Sequence, residues 1–254
     1  YALSKVMEAA GNGPEAARTL AQANSEMCKL RAYDPQEDAR ISHSILARYP
    51  SEMAAASTEQ DDPFPIFILG LPRSGTTLAE AIIGRHPDVV ALGERGTLGF
   101  LLQDVIAQNL PLTDTAALLK EDQRLLPNLA KGTRAYTDKM PENYRLVGML
   151  KQIHPHVRII HITRDPRDIA LSMWKAHFSG TALSYAYDFE AMAQKFNVYA
   201  EATAHWHRVL PGQILDVTYA EMVQDVDVTG RRMAAFCGLD WHPDMARPDQ
   251  GTAQ

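Results

Sequence analysis

The sequence predicts an α/β protein, a parallel β-sheet flanked by helices with an α-helical appendage at its N-terminus. Three observations carry that reading. Short apolar runs recur at residues 65–70, 89–92, 135–137, 157–163 and 214–217, each separated from the next by a segment long enough for a helix, as βαβ crossovers require. The first run, Pro65-Ile-Phe-Ile-Leu-Gly70, is apolar throughout and rich in β-branched and aromatic residues, which suits a central strand buried on both faces. Ahead of it, the stretch from Leu3 to Arg31 is rich in Ala, Glu, Lys, Met and Leu, and Gly11-Asn12-Gly13-Pro14 breaks it into two helices.

Taken in order, residues 1–33 form a helical hairpin. Residues 34–63 hold a connecting helix, which follows Asp34-Pro35, runs through Ile41, Ile45 and Leu46 and stops at Pro50, and then a polar linker from Ser51 to Pro63. The main domain covers 64–254. A chain of 254 residues, 46% hydrophobic, can bury one substantial core of this kind.

Charge and composition exclude several functions. A formal net charge of -6 with no concentrated basic stretch argues against a nucleic-acid surface, so any anion site has to be local. Cys28 and Cys237 stand far apart, which supports neither a disulfide framework nor a zinc knuckle and fits a reducing, cytoplasmic setting. No apolar run has the length of a membrane span, and the start at Tyr1 has no signal-like region. The lack of an initiator Met there suggests a piece trimmed from a longer chain.

Two segments carry chemistry. Gly70-Leu-Pro-Arg-Ser-Gly-Thr-Thr77 links the first strand to the helix Thr76–Ile83, a strand, turn and helix arrangement that aims backbone N–H groups at an anion. The spacing of Gly70 and Gly75 matches the phosphate-binding G-x-x-x-x-G-K-[ST] pattern, giving a P-loop-like core. Thr76 occupies the lysine position, however, and the positive charge moves to Arg73. An ordinary glycine-cornered turn is the plain alternative, and the crowding of Arg73, Ser74, Thr76 and Thr77 into one short loop favours the anion site. In the second segment, Val157–Thr163 is a buried strand and Arg164-Asp-Pro-Arg-Asp168 opens a helix with Pro166 in its first turn. Arg164 then emerges at the carboxyl edge of the sheet, where open parallel sheets bind ligands. Ser172 follows on the helix with a hydroxyl for the same anion. Arg167 and Asp168 read equally well as a surface ion pair.

Together, Phe67-Ile-Leu-Gly-Leu-Pro-Arg-Ser-Gly-Thr-Thr-Leu78 and Ile160-His-Ile-Thr-Arg-Asp-Pro-Arg-Asp-Ile-Ala-Leu-Ser172 resemble the two motifs with which sulfotransferases bind 3′-phosphoadenosine 5′-phosphosulfate (PAPS). The resemblance spans about residues 64 to 243 and is nearest to bacterial sulfotransferases that carry tetratricopeptide repeats in front, then to tyrosylprotein sulfotransferases. It implies that the helical hairpin, with Leu30-Arg-Ala-Tyr-Asp-Pro35 after it, is the last tetratricopeptide-like repeat, a surface for a protein partner. It also implies that Arg73, Ser74, Gly75, Thr76 and Thr77 hold the 5′-phosphosulfate and that Arg164 and Ser172 hold the 3′-phosphate. Tyr219, in Val217-Thr-Tyr-Ala-Glu-Met222, would lie against the adenine, although the residues alone read equally as a half-buried tyrosine. The product would be PAP. No metal is expected, because a phosphosulfate carries less charge at its transferred end than a triphosphate and can be held by arginine, lysine and hydroxyls.

Sulfuryl transfer needs a base for the acceptor hydroxyl and positive charge on the oxygens as the donor bond breaks. The strand Val89-Val-Ala-Leu-Gly93 delivers Glu94 to the active edge, and in the tyrosylprotein branch the matching glutamate is a general base. Ala135-Tyr-Thr-Asp-Lys-Met-Pro-Glu-Asn143 resembles the family's Asp-Lys-x-Pro-x-Asn segment, which makes Lys139 the cation on the leaving oxygens alongside Arg73. Asn143 holds the loop or touches the acceptor. Cytosolic members use a histidine as base, so His86, His161 and His177 are the alternatives to Glu94. The acceptor stays open among a peptide, a carbohydrate and a small alcohol. Family members often continue with a basic segment that covers the donor, whereas this sequence ends at Arg247-Pro-Asp-Gln-Gly-Thr-Ala-Gln254. The rival functions are a P-loop nucleoside-triphosphate kinase or ATPase, which would need magnesium, and a catalytically inert repeat-based binding protein.

Overall fold

The computed structural model describes residues 1–54 and 63–249. Most of the expected polar linker and the last five residues of the sequence lie outside them. The chain divides into two compact units, one formed by Tyr1–Arg40 with Asp165–Ala200, the other by Ile41–Arg164 with Glu201–Gln254.

In the first unit, helices Ala2–Ala9 and Gly13–Leu30 pack on one another through the turn at Gly11, whose φ of 78° suits glycine. Ala16, Leu20 and Asn24 are buried at a spacing of four, so one stripe of the second helix faces inward. Asn24 satisfies its amide there: it donates to the Trp174 carbonyl at 2.9 Å and accepts from the Tyr1 hydroxyl. Trp174 ends the helix Pro166–Trp174, which has its proline in the first turn as the sequence predicts. Asp165 caps it by accepting from the Arg167 amide. Lys195 is buried at 2% exposure because Asp38 pairs with it at 3.3 Å and the Tyr185 ring lies 5.1 Å from its ammonium.

The second unit holds a five-stranded parallel sheet: β1 Phe64–Gly70, β2 Val89–Ala91, β3 Ala135–Asp138, β4 Arg158–Thr163 and β5 Ile214–Thr218, in the order β2-β3-β1-β4-β5. All five strands stand where the apolar runs predict them. β1 is buried at every residue, as its continuous apolar run requires. Alternation splits its side chains between two layers. Phe64, Ile66 and Ile68 join Ile160, Ile162 and Val217 under the helices Thr76–Ile83 and Val226–Cys237.

Elsewhere in this unit the buried Trp206, on the helix Phe189–Val209, donates its indole N–H to the Tyr144 carbonyl at 2.7 Å. Tyr49 meets Trp206 edge-on at 5.5 Å and donates its hydroxyl to Gln152. That ring lies flat against Gly148, where a Cβ would come within 2.6 Å of it. Helix propensity alone would let Gly148→Ala gain about 1 kcal/mol. Because the Tyr49 ring is wedged on both sides, the overpacking cost prevails, and denaturant titration should show a net loss of roughly 1–2 kcal/mol.

Candidate active site

A parallel sheet sends every strand's carboxyl end to the same edge, so residues that follow each strand become neighbours however far apart they lie in sequence. Here β1 leads into the Gly70–Thr77 turn, β2 to Glu94, β3 to Lys139, β4 to Arg164 and β5 to Tyr219. The sequence thus predicts one residue or loop at the end of each strand, and the fold gathers them along one edge of the second unit.

The turn after β1 depends on two glycines. A Cβ on Gly70 would lie 2.6 Å from Ser74 Oγ and 2.8 Å from the Ile162 carbonyl of β4, so only glycine lets the turn fold back beside the neighbouring strand. Gly75 has φ 109° and caps the helix Thr76–Ile83 without a side chain. A Cβ there would strike the Tyr219 ring at 2.6 Å. The first-turn amides of that helix have no intrahelical acceptor and point into the turn. Ser74 is 1% exposed, and its hydroxyl has no hydrogen-bond partner among the described residues. A buried hydroxyl in that state can bond to a ligand, and the adjoining helix N-terminus is a setting that suits an anion. Arg73, in the left-handed region at φ 71°, is exposed at the rim, as is Thr77, while Thr76 is buried.

Arg164 lies over the Tyr219 ring, with the guanidinium carbon 4.4 Å from the ring centroid, and its Nη1 donates to the Arg73 carbonyl at 3.4 Å. Arg164, Tyr219 and Gly75 therefore form one contiguous wall. Ser172 belongs to the first unit, half-buried on the helix Pro166–Trp174. Arg167, on the same helix, forms an exposed pair with Asp165 at 2.7 Å, which favours the surface reading of that residue.

Lys139 Nζ donates to Glu94 Oε1 at 2.8 Å. The lysine is nearly buried and the carboxylate is about half exposed, so the pair has its acidic end toward solvent. Of the three histidines, His86 Nδ1 accepts from the Asp88 amide within its own turn. The His177 ring lies against Tyr1 in the first unit, and His161 Nδ1 sits 2.6 Å from Asp216 Oδ1. Asn143 is buried, and its Nδ2 has no partner among the described residues.

Sequence reasoning missed the groups that hold this edge in place. Glu80, 8% exposed on the helix after the anion turn, accepts from the Gly93 amide at 2.9 Å and from the Thr137 hydroxyl at 2.6 Å. Thr137 Oγ1 in turn accepts from the Leu92 amide, and the Lys139 amide donates to the Gly93 carbonyl at 2.8 Å. These bonds staple the ends of β2 and β3 one residue short of Glu94 and two short of Lys139. The available signal was a glutamate on the buried stripe Thr76, Ala79, Ile83 of an otherwise apolar helix.

A second network lies behind it. Buried Asp122 pairs with Arg95 at 3.0 Å and His154 at 3.1 Å, and the Arg95 guanidinium lies 5.5 Å from the Tyr136 ring. Burial opposes ionisation of Asp122, yet His154 and Arg95 hold it below the usual carboxylate range. Asp138 differs. Burial pushes its carboxyl up to about 7, only partly offset by the Met140 amide and Arg95. Between its ordinary 3.8 and about 7, the unfolded chain therefore releases a proton that the folded chain retains, so stability falls as pH rises through that window. Asp138→Asn removes this term. Its stability relative to the parent should rise by roughly 2 kcal/mol between pH 5 and pH 7 in denaturant titrations, and a pH-independent difference would refute the assignment.

Comparison with known proteins gives this geometry a context. The model of the sulfotransferase family matches residues 65–243. An uncharacterized protein of Aquifex aeolicus is 28% identical over 264 residues, covering 95% of this chain and 34% of its own length. A Caenorhabditis briggsae relative named "Putative protein-tyrosine sulfotransferase" is 25% identical over 197 residues, covering 71% of this chain and 67% of its own length. The chain thus spans about a third of the first of these relatives. Among solved structures, the sulfotransferase domain of the Synechococcus PCC 7002 olefin synthase shares the fold, with a TM-score of 0.53 at 19% identity over 79% of this chain and 82% of that one.

Proposed function

The chain belongs to the sulfotransferase family, its matched segment covering residues 65–243, and from that membership and the geometry of the sheet edge we propose that it transfers a sulfuryl group from PAPS to a hydroxyl acceptor. The observation that carries the proposal is the glycine-built turn at a helix N-terminus, whose buried Ser74 hydroxyl has no partner among the described residues, bordered by Arg164 and on the same sheet edge as the Lys139–Glu94 pair.

Arg73, Ser74, Gly75, Thr76 and Thr77 would hold the 5′-phosphosulfate through backbone amides, hydroxyls and one guanidinium. Arg164 and Ser172 would take the 3′-phosphate. Tyr219, already stacked on Arg164, would form the adenine wall. Bound there, the donor supplies an electrophilic sulfuryl group and leaves as PAP. Glu94 would accept the hydroxyl proton of the acceptor, since its carboxylate is the solvent-facing end of its ion pair. Lys139, held by Glu94 and by the Gly93 carbonyl on its amide, would supply a fixed positive charge to the leaving oxygens, with Arg73 at the rim. Asn143, whose buried Nδ2 has no partner among the described residues, would orient an incoming oxygen. No lysine occupies the P-loop position, which weakens the triphosphate alternative.

The acceptor class is proposed only as a hydroxyl, on a peptide, a carbohydrate or a small alcohol. The hairpin of residues 1–33 is proposed as the last tetratricopeptide repeat, a platform for a protein partner. Among the described residues no helix is long and apolar enough to cross a membrane, and a reducing, cytoplasmic setting is the proposed location.

Calorimetric titration should show PAP binding that needs no magnesium and is much tighter than that of ADP or of ATP with magnesium. Arg164→Ala should weaken PAP roughly 10–100-fold, the loss of a charge-assisted contact, while ADP changes little. Magnesium-dependent ATP binding without PAP binding would defeat the assignment. For Glu94→Gln, turnover with an accepted hydroxyl compound should fall by about 10²–10⁴-fold while PAP affinity stays within a fewfold of the parent. Undiminished turnover would return the base to one of the histidines.

A further inference from the structure

Away from the carboxyl edge, three metal-ligating side chains converge from three elements. His161 stands on β4, Asp216 is its register partner on β5, and His207 lies in the last turn of the helix Phe189–Val209. Both imidazoles address the same oxygen. His161 Nδ1 is 2.6 Å and His207 Nε2 is 3.2 Å from Asp216 Oδ1. The ligand atoms of all three residues lie within 4.8 Å of one another.

We propose that His161, His207 and Asp216 form a binding site for a zinc-class divalent cation. Two imidazole nitrogens and a carboxylate oxygen suit Zn²⁺ or Co²⁺ and are a poor set for Mg²⁺ or Ca²⁺, which prefer oxygen ligands. Metal–ligand distances of about 2.0–2.2 Å place tetrahedral ligand atoms roughly 3.4 Å apart. The His207–Asp216 separation is already close to that edge. The His161–Asp216 separation has to open by less than an ångström, and the two imidazole nitrogens, no more than 4.8 Å apart, have to close by at most roughly 1.4 Å. His161 would ligate through Nδ1 and His207 through Nε2. With three protein ligands, water completes the coordination shell.

The surroundings favour a defined site over a chance cluster. Trp206, next to His207, is buried and fixed by its bond to the Tyr144 carbonyl, so the last turn of the helix cannot slide along the sheet. Leu69, Tyr144, Val147 and Ile214 line a small, largely apolar cleft beside both histidines. Asp216 and His207 face outward with side chains about half and two-fifths exposed, which leaves an entry path. Arg232 Nη2 donates to the Asp216 carbonyl, and its guanidinium is paired with Glu221. His161 and Asp216 each lie three residues before Arg164 and Tyr219 on their strands, so a bound ion would clamp β4 to β5 just upstream of the donor wall. It would act as a brace and take no part in sulfuryl transfer, and the proposal stands whether or not the donor assignment does.

The test uses the full chain without an affinity tag, stripped with chelator and titrated with Zn²⁺ alone by calorimetry. One equivalent should bind with a Kd on the order of 1 µM or tighter, and Co²⁺ should give visible absorption bands of low-symmetry coordination. His207→Ala and Asp216→Asn, both at outward-facing positions, should each weaken Zn²⁺ at least about 30-fold and abolish the Co²⁺ bands. Cys28→Ser, at an exposed thiol, should change neither. Circular dichroism on each variant separates lost ligation from lost fold, and His207→Ala stands alone if Asp216→Asn does not fold. Lack of saturable Zn²⁺ uptake, or uptake that survives both substitutions, overturns the proposal and leaves a hydrogen-bonded His-Asp-His chain.

Discussion

One buried carboxylate organises the carboxyl edge of the sheet. Glu80 is carried by the helix that receives the anion turn, and it bonds to the end of β2 through the Gly93 amide and to β3 through Thr137. The helix that opens at the Gly70–Thr77 turn is thereby tied to the two strands that lead to Glu94 and Lys139. A hydrogen bond contributes about 0.5–1.5 kcal/mol net, and leaving a buried acceptor unmatched costs about 1–3 kcal/mol. The arrangement is therefore close to all-or-none, which suits a site whose parts come from different strands.

Around this hub the protein separates charges it buries from charges it leaves to solvent. Asp122 is fully buried with Arg95 and His154 as partners, and the network braces β3 from behind. A buried ion pair of this kind adds little net stability but makes a shifted register very costly, because any slip strands a charge. The Glu94–Lys139 pair has the opposite design. Its carboxylate faces solvent and its ammonium is nearly buried, which leaves the carboxylate open to approach while the lysine stays fixed.

The backbone imposes a matching constraint after β1. Gly70 has no room for a side chain between Ser74 and the β4 carbonyl, and Gly75 has none beside Tyr219. These close approaches bring the Gly70–Thr77 turn, Arg164 and Tyr219 into one wall, with the Ser74 hydroxyl buried in the turn. The His161–Asp216 pair lies farther back on the same two strands, so bracing them at that point would bear on the wall without entering it.

The residues alone determined what is local. Five apolar runs placed five strands, Gly70 and Gly75 specified the turn, Pro166 opened its helix, and the residue after each strand was legible because a parallel sheet has one carboxyl edge. The hairpin turn at Gly11 was equally plain. Only the tertiary structure decided which side chains meet across long separations. Glu80 finds Thr137, Asp122 finds Arg95 and His154, and His161, which showed no partner in the sequence, finds Asp216 and His207. The physical reason is that periodicity reports a side chain's face and its burial, whereas a polar pair forms between faces that strand order and register bring together. No residue type encodes the distance along the chain to the partner it will meet.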